Sequence, residues 1–200
     1  MPDHSPQVAR PDARCGRERR GYLGRIESGS LRPGDRITVL PSGLTSRVWR
    51  IVTVDGDLEQ AHAPQSVTLE LEDGIDISRG AMIVRNDAAE PAPRVARSLE
   101  ANLCGFDAQP LERRRPYFRR HTTRTVKTVS DGIDYTIDVD SQAAVADAGE
   151  LAMNDIAHVR LRLHGPLGYD GYSRNRNTGA FILIDPASNA AVAAGMIAAV

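Results

Sequence analysis

The sequence predicts an all-β protein built as two small barrels in tandem. Three observations predict it. Apolar residues alternate with polar ones in short runs, as at Val67, Leu69 and Leu71 and again at Val159, Leu161 and Leu163. Turns centred on Gly and Pro separate these runs, as in Leu31-Arg32-Pro33-Gly34-Asp35 and Pro41-Ser42-Gly43. One stretch of small residues and prolines, Asp87-Ala88-Ala89-Glu90-Pro91-Ala92-Pro93, divides the pattern into halves.

Residues 1–20 are rich in Pro, Asp and Arg and lack a hydrophobic period, so a disordered or loosely attached arm is expected there. Arg10, Arg14, Arg17, Arg19 and Arg20 are diluted by Asp3, Asp12 and Glu18, which favours a solvated tail over a basic arm. The first barrel is expected over 21–88, with strands at Gly21–Ile26, Arg36–Leu40, Thr45–Val54, Val67–Leu71 and Ala81–Arg85. A linker is expected over 89–94, and the second barrel over 95–200. That half opens with a strand at Val95–Cys104. Arg113-Arg114-Arg115-Pro116-Tyr117-Phe118-Arg119-Arg120-His121 is the densest charge cluster, and reads either as a solvated loop rim or as a grip for phosphate or an acidic surface. Thr122–Val129 and Ile133–Val139 are β-branched runs joined by Ser130-Asp131-Gly132, a hairpin signal. Ala143–Leu151 reads as a short helix or a loop with helical turns, and Ala190–Ala199 as a last strand or a frayed end.

Between these lies Gly165–Asp185. Its first part, Tyr169 to Asn177, is polar and irregular and reads as a surface loop. Its second part, Thr178-Gly179-Ala180-Phe181-Ile182-Leu183-Ile184-Asp185, is a continuous apolar run that suits a strand buried on both faces. A polar loop set against a rigid strand can present side chains to a partner.

Composition excludes several classes. Hydrophobic residues make up 41% and aromatics 4%, which is enough for a core, but a mostly aliphatic one. The net charge of -1 gives no general affinity for nucleic acid. No apolar run reaches the length of a membrane helix, the N-terminus lacks the apolar segment of a secretory signal, and Cys15 and Cys104 form no CxxC pair; a reduced, cytoplasmic protein without a membrane partner is expected. Lys127 is the single lysine and has no glycine before it. A P-loop needs Gly-x-x-x-x-Gly-Lys-Ser/Thr to cradle phosphates, and none is present.

Other constellations carry little chemistry. Asp138 and Asp140 would point the same way from a strand, but the polar face of a half-exposed strand explains them. Asp55-Gly56-Asp57 is ordinary turn composition. His4, His62, His121, His158 and His164 lack metal-ligand spacing, and no nucleophile elbow occurs. No catalytic, cofactor or metal residue is assigned.

The pattern Asp170…Tyr172…Asn175-Arg176-x-Thr178-Gly179-x-Phe181-Ile182-Leu183-Ile184-Asp185, followed by Asn189…Gly195-Met196-Ile197, resembles the C-terminal end of the large, GTP-binding subunit of bacterial sulfate adenylyltransferase (ATP sulfurylase), an elongation factor Tu-like family. Leu31-Arg32-Pro33-Gly34-Asp35 and Ile77-Ser78-Arg79-Gly80 resemble turn signatures of the translation-factor second domain. The resemblance implies barrels of the elongation factor Tu domain 2 and domain 3 type, without the GTPase domain. It implies that GTP and Mg would bind the absent domain, leaving no cofactor here. It implies two partners, the GTPase domain and the small adenylylating subunit, with Arg174, Asn175, Arg176, Arg119 and Arg120 as candidate contacts. The chain alone is expected to lack GTPase and adenylyltransferase (nucleotidyltransferase) activity. The alternative is a free-standing translation-factor-like module for RNA or protein, against which the near-neutral charge argues.

Overall fold

The computed structural model describes residues 4–11, 20–86, 92–138, 143–146 and 150–198. Backbone contacts divide the chain into two units, Met1–Val95 and Ala96–Val200.

The first unit holds β1 (His4–Pro11), β2 (Arg20–Arg25), β3 (Ser30–Leu31), β4 (Arg36–Leu40), β5 (Leu44–Thr53), β6 (Gly56–Asp57), β7 (Ala61–His62), β8 (Ser66–Leu71) and β9 (Met82–Arg85). The order β4-β9-β1-β2-β8-β5 closes through a β4–β5 pairing, so the sheet is a barrel. Alternation decides what faces inward. Ile37 and Val39 on β4, and Val67, Leu69 and Leu71 on β8, are buried with Tyr22, Val48, Ile51 and Ile83. The turn before β4 is fixed locally: Gly34 takes φ 91, and the Arg32 N–H donates to the Asp35 carboxylate at 2.8 Å. Asp55-Gly56-Asp57 belongs to the β5–β6 hairpin, where Arg50 engages the Asp57 carboxylate.

The loose arm expected over 1–20 is corrected over His4–Pro11. That segment is β1, antiparallel to both β2 and β9. Without it, the facing edges of β2 and β9 would leave backbone donors and acceptors unpaired, and the barrel would stay open. The side chains of 4–11 and the arginines Arg14, Arg17 and Arg19 lie outside the described residues, as do 89–91 of the expected linker.

The second unit is built on β10 (Arg94–Gly105), β11 (Pro116–His121), β12 (Arg124–Ile137), β13 (Ala144–Ala146), β14 (Ile156–Tyr169), α1 (Arg176–Gly179), β15 (Ala180–Ile184) and β16 (Ala191–Ile197). The order β11-β15-β16-β10-β14-β12 closes through β11–β12, and β13 adds to the end of β12. The barrel's core gathers Leu103, Tyr117, Val159, Leu161, Leu167, Phe181 and Leu183.

Four expectations for this half are corrected. The hairpin at Ser130-Asp131-Gly132 does not form. β12 runs through it, paired with β14 on both sides, and the register shifts between Ser130 and Gly132. Neither Asp131 nor Gly132 has the left-handed φ that a two-residue hairpin turn requires, so the Asp-Gly pair marks a bulge. The hairpin lies earlier, at Thr122-Thr123 between His121 and Arg124, with Thr122 at φ 48. Second, the charge cluster is not all loop rim, because Pro116–His121 is a central strand. Third, the helix expected over Ala143–Leu151 is replaced, where described, by β13 and a Leu111–Leu151 bridge. Fourth, the apolar run after Gly179 is buried on one face only: Phe181 and Leu183 point inward, while Ile182 and Ile184 are half-buried on the other side. Asp140 lies outside the described residues, so the Asp138/Asp140 pair is not placed.

Candidate interaction site

The Gly165–Asp185 stretch is more ordered by its own chemistry than a polar loop requires. β14 carries the chain to Tyr169, and Asp170 follows fully inside, 3% exposed. A carboxylate that deep needs partners. The Thr178 hydroxyl donates to Asp170 Oδ2 at 2.7 Å, and Arg174 approaches Oδ1 at 3.4 Å. The backbone closes the same loop: the Asp170 N–H donates to the Thr178 carbonyl, and the Tyr172 N–H to the Ile197 carbonyl.

Asn175 is the N-cap of α1. Its backbone is extended (φ -144, ψ 111), and its Oδ1 accepts from the N–H groups of Asn177 at 3.0 Å and Thr178 at 3.4 Å. Gly179 is there for space. A Cβ on it would stand 2.4 Å from the Tyr172 Cα and 2.6 Å from its nitrogen. The Asn-x-x-Thr-Gly pattern is therefore a folding device: a cap, a clamp on a buried acid, and a close approach of two backbones.

Beneath it lies a polar group that sequence reasoning missed. Tyr117, Arg119 and His121 alternate along β11 and all point inward. His121 Nε2 donates to the Thr178 carbonyl at 2.8 Å, which sets the tautomer. Burial, then the neighbouring Arg119 charge, push the His121 pKa down to about 4, so the ring is neutral at pH 7. Arg119 is 0% exposed, and its guanidinium makes no hydrogen bond among the described residues. It lies 4.1 Å from the centre of the Phe181 ring, and that aromatic face is its compensation. Burial pushes its pKa down to about 9, still charged at pH 7. The period-two spacing of Tyr117, Arg119 and His121 was the available signal, and the density of charge around it hid it.

The five candidate contacts separate accordingly. Arg119 is corrected: a side chain in the barrel interior touches no partner. Asn175 spends its side-chain oxygen on the helix cap. Arg174 is exposed but tied to Asp170. Arg176 is exposed and lies 6.0 Å over the Tyr172 ring. Arg120 is exposed on β11, opposite Ile182 of β15.

In the cleft lined by Asp107, Arg115, Tyr117, Asp185 and Ser188, Arg115 and Asp185 are matched to each other. Arg115 pairs with Asp185 and Glu112, and Asp185 also accepts from the N–H groups of Ala187 and Ser188. Those N–H bonds and the nearby guanidinium hold the Asp185 carboxyl below the usual range. Among the described residues, no group of three or more His, Cys, Asp or Glu side chains could hold a metal ion. Among the described residues, no helix is long and apolar enough to cross a membrane.

Two closed six-stranded barrels, one in each unit, define a protein with the barrel fold of translation factors. Solved structures agree on the fold. Sup35 complexed with GMPPNP superposes with a TM-score of 0.85 at 15% identity, covering 99% of this chain and 47% of that one. Translation elongation factor SelB of Methanococcus maripaludis gives 0.75 at 16% identity, covering 99% and 42%. The family profile described as GTP-eEF1A C-terminal domain-like matches residues 98–198, and the chain belongs to that family. The sequence relatives are more specific. The chain is 41% identical over 191 residues to the bifunctional enzyme CysN/CysC of Mycobacterium tuberculosis H37Rv, covering 95% of this chain and 31% of the relative. It is 42% identical over 186 residues to sulfate adenylyltransferase subunit 1 of Bacteroides thetaiotaomicron, covering 89% and 38%. The same subunit of Chromobacterium violaceum is 46% identical over 181 residues, covering 90% and 37%. The resemblance read from the Gly165–Asp185 motifs is thus borne out, and the chain spans about a third of the length of these relatives.

Proposed function

We propose that this chain is the barrel portion of a sulfate adenylyltransferase subunit 1 and acts as a non-catalytic binding and coupling module in sulfate activation to adenosine 5′-phosphosulfate. On this reading it holds the GTPase domain and the small adenylylating subunit. GTP and Mg bind outside it, and the assembly works in the cytoplasm. The observation that carries this is the identity of 42% and 46% to two relatives named sulfate adenylyltransferase subunit 1, over 89% and 90% of the chain. The missing P-loop and the single Lys127 support it, because phosphate binding in such GTPases needs a lysine placed after a glycine-rich loop. The free-standing RNA-binding alternative is weakened, since Arg119 is buried and Arg115 is tied to Asp185, which leaves Arg113, Arg114 and Arg120 of that rim exposed.

Two measurements test the reading. Calorimetric titration with GTP and GDP is expected to show no saturable binding at micromolar concentration. A sedimentation or surface-binding assay with the purified adenylylating subunit of the same organism is expected to show a complex. Tight nucleotide binding by the chain alone would defeat the first half, and absence of any complex the second.

A further inference from the structure

Exposed positive charge gathers on three neighbouring strands of the second barrel. On β11, β12 and β14 the outward residues include Arg120, Lys127, Arg160 and Arg162. Two carboxylates stand among them: Arg162 holds Asp131 at 2.7 Å and Arg160 holds Asp134 at 2.8 Å. The adjoining strands differ. β15 and β16 contain no charged residue, and the outward Glu100 and Asn102 of β10 are turned to His158.

Not all of the positive charge is matched. Arg113, in the connection before β11, Arg120 and Lys127 are exposed, and none of these side chains has a hydrogen-bond or ion-pair partner among the described residues. Arg113 nevertheless has a definite place. Gly132 has no side chain, and the point its Cβ would occupy lies 3.5 Å from a terminal nitrogen of Arg113 and 3.8 Å from one of Arg160. Two guanidinium groups thus meet over a bare patch of β12, and Asp134 matches only one of them. A further carboxylate would relieve that repulsion, and a planar guanidinium can hold it through two hydrogen bonds. Lys127 lies about 17 Å away along β12 by strand rise, with Arg120 on the neighbouring strand.

We propose that this face of β11, β12 and β14 docks an acidic face of a protein partner, whose carboxylates meet Arg113 and Arg160 over Gly132 at one end and Lys127 and Arg120 at the other, and that the partner is the adenylylating subunit. The choice of occupant rests on the function proposed above; the choice of surface rests on the unmatched cations. Their surroundings favour protein over nucleic acid. A phosphate backbone laid along β12 would meet Asp131 and Asp134. The rings here offer no stacking platform, since Phe118 is half-buried and Tyr135 is already stacked on His158 at 5.1 Å. A protein face of mixed sign can set its own cations against those two aspartates.

Lys127 is the single lysine, which makes the surface testable. A water-soluble carbodiimide joins its amine to a carboxylate in direct contact, and peptide mass spectrometry locates the join. The chain is mixed with the purified adenylylating subunit of the same organism, and affinity is measured for the parent, Lys127→Arg, Lys127→Glu and Arg113→Glu across a salt series. The expected result is an amide between Lys127 and an Asp or Glu of the subunit, parent-like binding by Lys127→Arg, and a several-fold loss with each Glu variant. Raising salt from about 50 to 300 mM should weaken the parent complex more than tenfold. If the parent binds but forms no such amide and both Glu variants bind as it does, the surface is wrong and the proposed function stands. If the parent binds nothing, both fall. If Lys127 joins to a second copy of this chain instead, or a single-stranded RNA binds more tightly than the subunit and is lost with the Glu variants, the occupant is wrong and the proposal is overturned. Should a Glu variant fail to fold, the Lys127 amide and the salt series in the parent decide.

Discussion

In the first barrel the largest fully buried side chains, after Tyr22, are Ile26, Ile37, Ile51, Leu69 and Ile83. In the second the largest is Arg119, and His121, Asp170 and Thr178 are buried with it. Both barrels have six strands and close the same way. They differ in what specifies the interior. Hydrocarbon packing is graded and tolerates exchange of one aliphatic residue for another. A buried charge and a buried acid tolerate little, because each donor and acceptor left unmatched costs its desolvation. The second barrel has placed these groups where the Asp170–Gly179 segment crosses its end. Its stability is therefore tied to that segment's geometry and, through His121, to pH; the buried polar residues of the first barrel are Ser46 and Glu70, the latter 3.9 Å from Arg50.

The largest test of this contrast is Phe181→Ala. It removes a buried ring and also the aromatic face over Arg119. A loss of about 3–5 kcal/mol is expected from the cavity alone. Leu69→Ala in the first barrel is the partner experiment, with about 2–5 kcal/mol from the same cause. Urea denaturation of both variants checks the difference. If Phe181→Ala costs less than Leu69→Ala, the ring is not compensating the guanidinium.

The second test is pH. The folded His121 takes a proton only near pH 4, against 6.5 for a free imidazole. Between those values the unfolded chain binds the proton and the folded chain does not, so acid favours unfolding. Stability from this group is complete above pH 6.5 and falls as pH drops toward 4, by about 3 kcal/mol. Carboxylates titrate in the same range, so the comparison is with His121→Gln, which keeps a donor for the Thr178 carbonyl and cannot ionise. Its stability curve is expected to be flatter between pH 6.5 and 4. Parallel curves for parent and variant would mean that His121 is not the titrating group.

Asn175→Ala is a smaller effect. It leaves the N–H groups of Asn177 and Thr178 without their cap, at a cost of about 1 kcal/mol. A fall in Tm of roughly 4–8 °C follows for a barrel of this size. Asn175→Asp can still cap the helix and should recover most of it. If both variants melt with the parent, the cap is not what holds the Asp170–Thr178 clamp.

How much of this was legible beforehand depends on whether one strand's own period carried the information. β4, β8 and β14 were readable because alternation alone tells which side chains enter the core. Asp131-Gly132 was misread because a hairpin turn and a bulge draw on the same residues, and only pairing of both flanks with β14 decides between them. The run after Gly179 was misread for the opposite reason: a sequence apolar at every position does not say which face belongs to the barrel. Asn175, Thr178 and Gly179 were recognisable as a motif, but motifs kept for folding and for contact look alike until Asp170 and Tyr172 are seen against them. Arg119 was misassigned as a contact because its exposed neighbours Arg113, Arg114 and Arg120 share its chemistry and not its environment.

Arg176→Ala carries the smallest expected effect on stability and separates folding from contact most cleanly. Its guanidinium is exposed, and its one aromatic neighbour, Tyr172, lies 6.0 Å away. An exposed cation–π pair is worth about 0.5–1 kcal/mol, so Tm should fall by only a few degrees. The same substitution acts quite differently at Arg119, which is sealed in the core of the second barrel. If Arg176 meets the adenylylating subunit, truncation weakens that complex by about tenfold or more while the melt hardly moves, as for an arginine at the centre of an interface. Arg176→Lys keeps the charge but not the planar fork, and should recover part of the affinity if the contact is bidentate. Binding and melting measured on the same preparations decide it. If Arg176→Ala binds as tightly as the parent, Arg176 is no contact, and the Asn-x-x-Thr-Gly motif that carries it serves the fold of the second barrel.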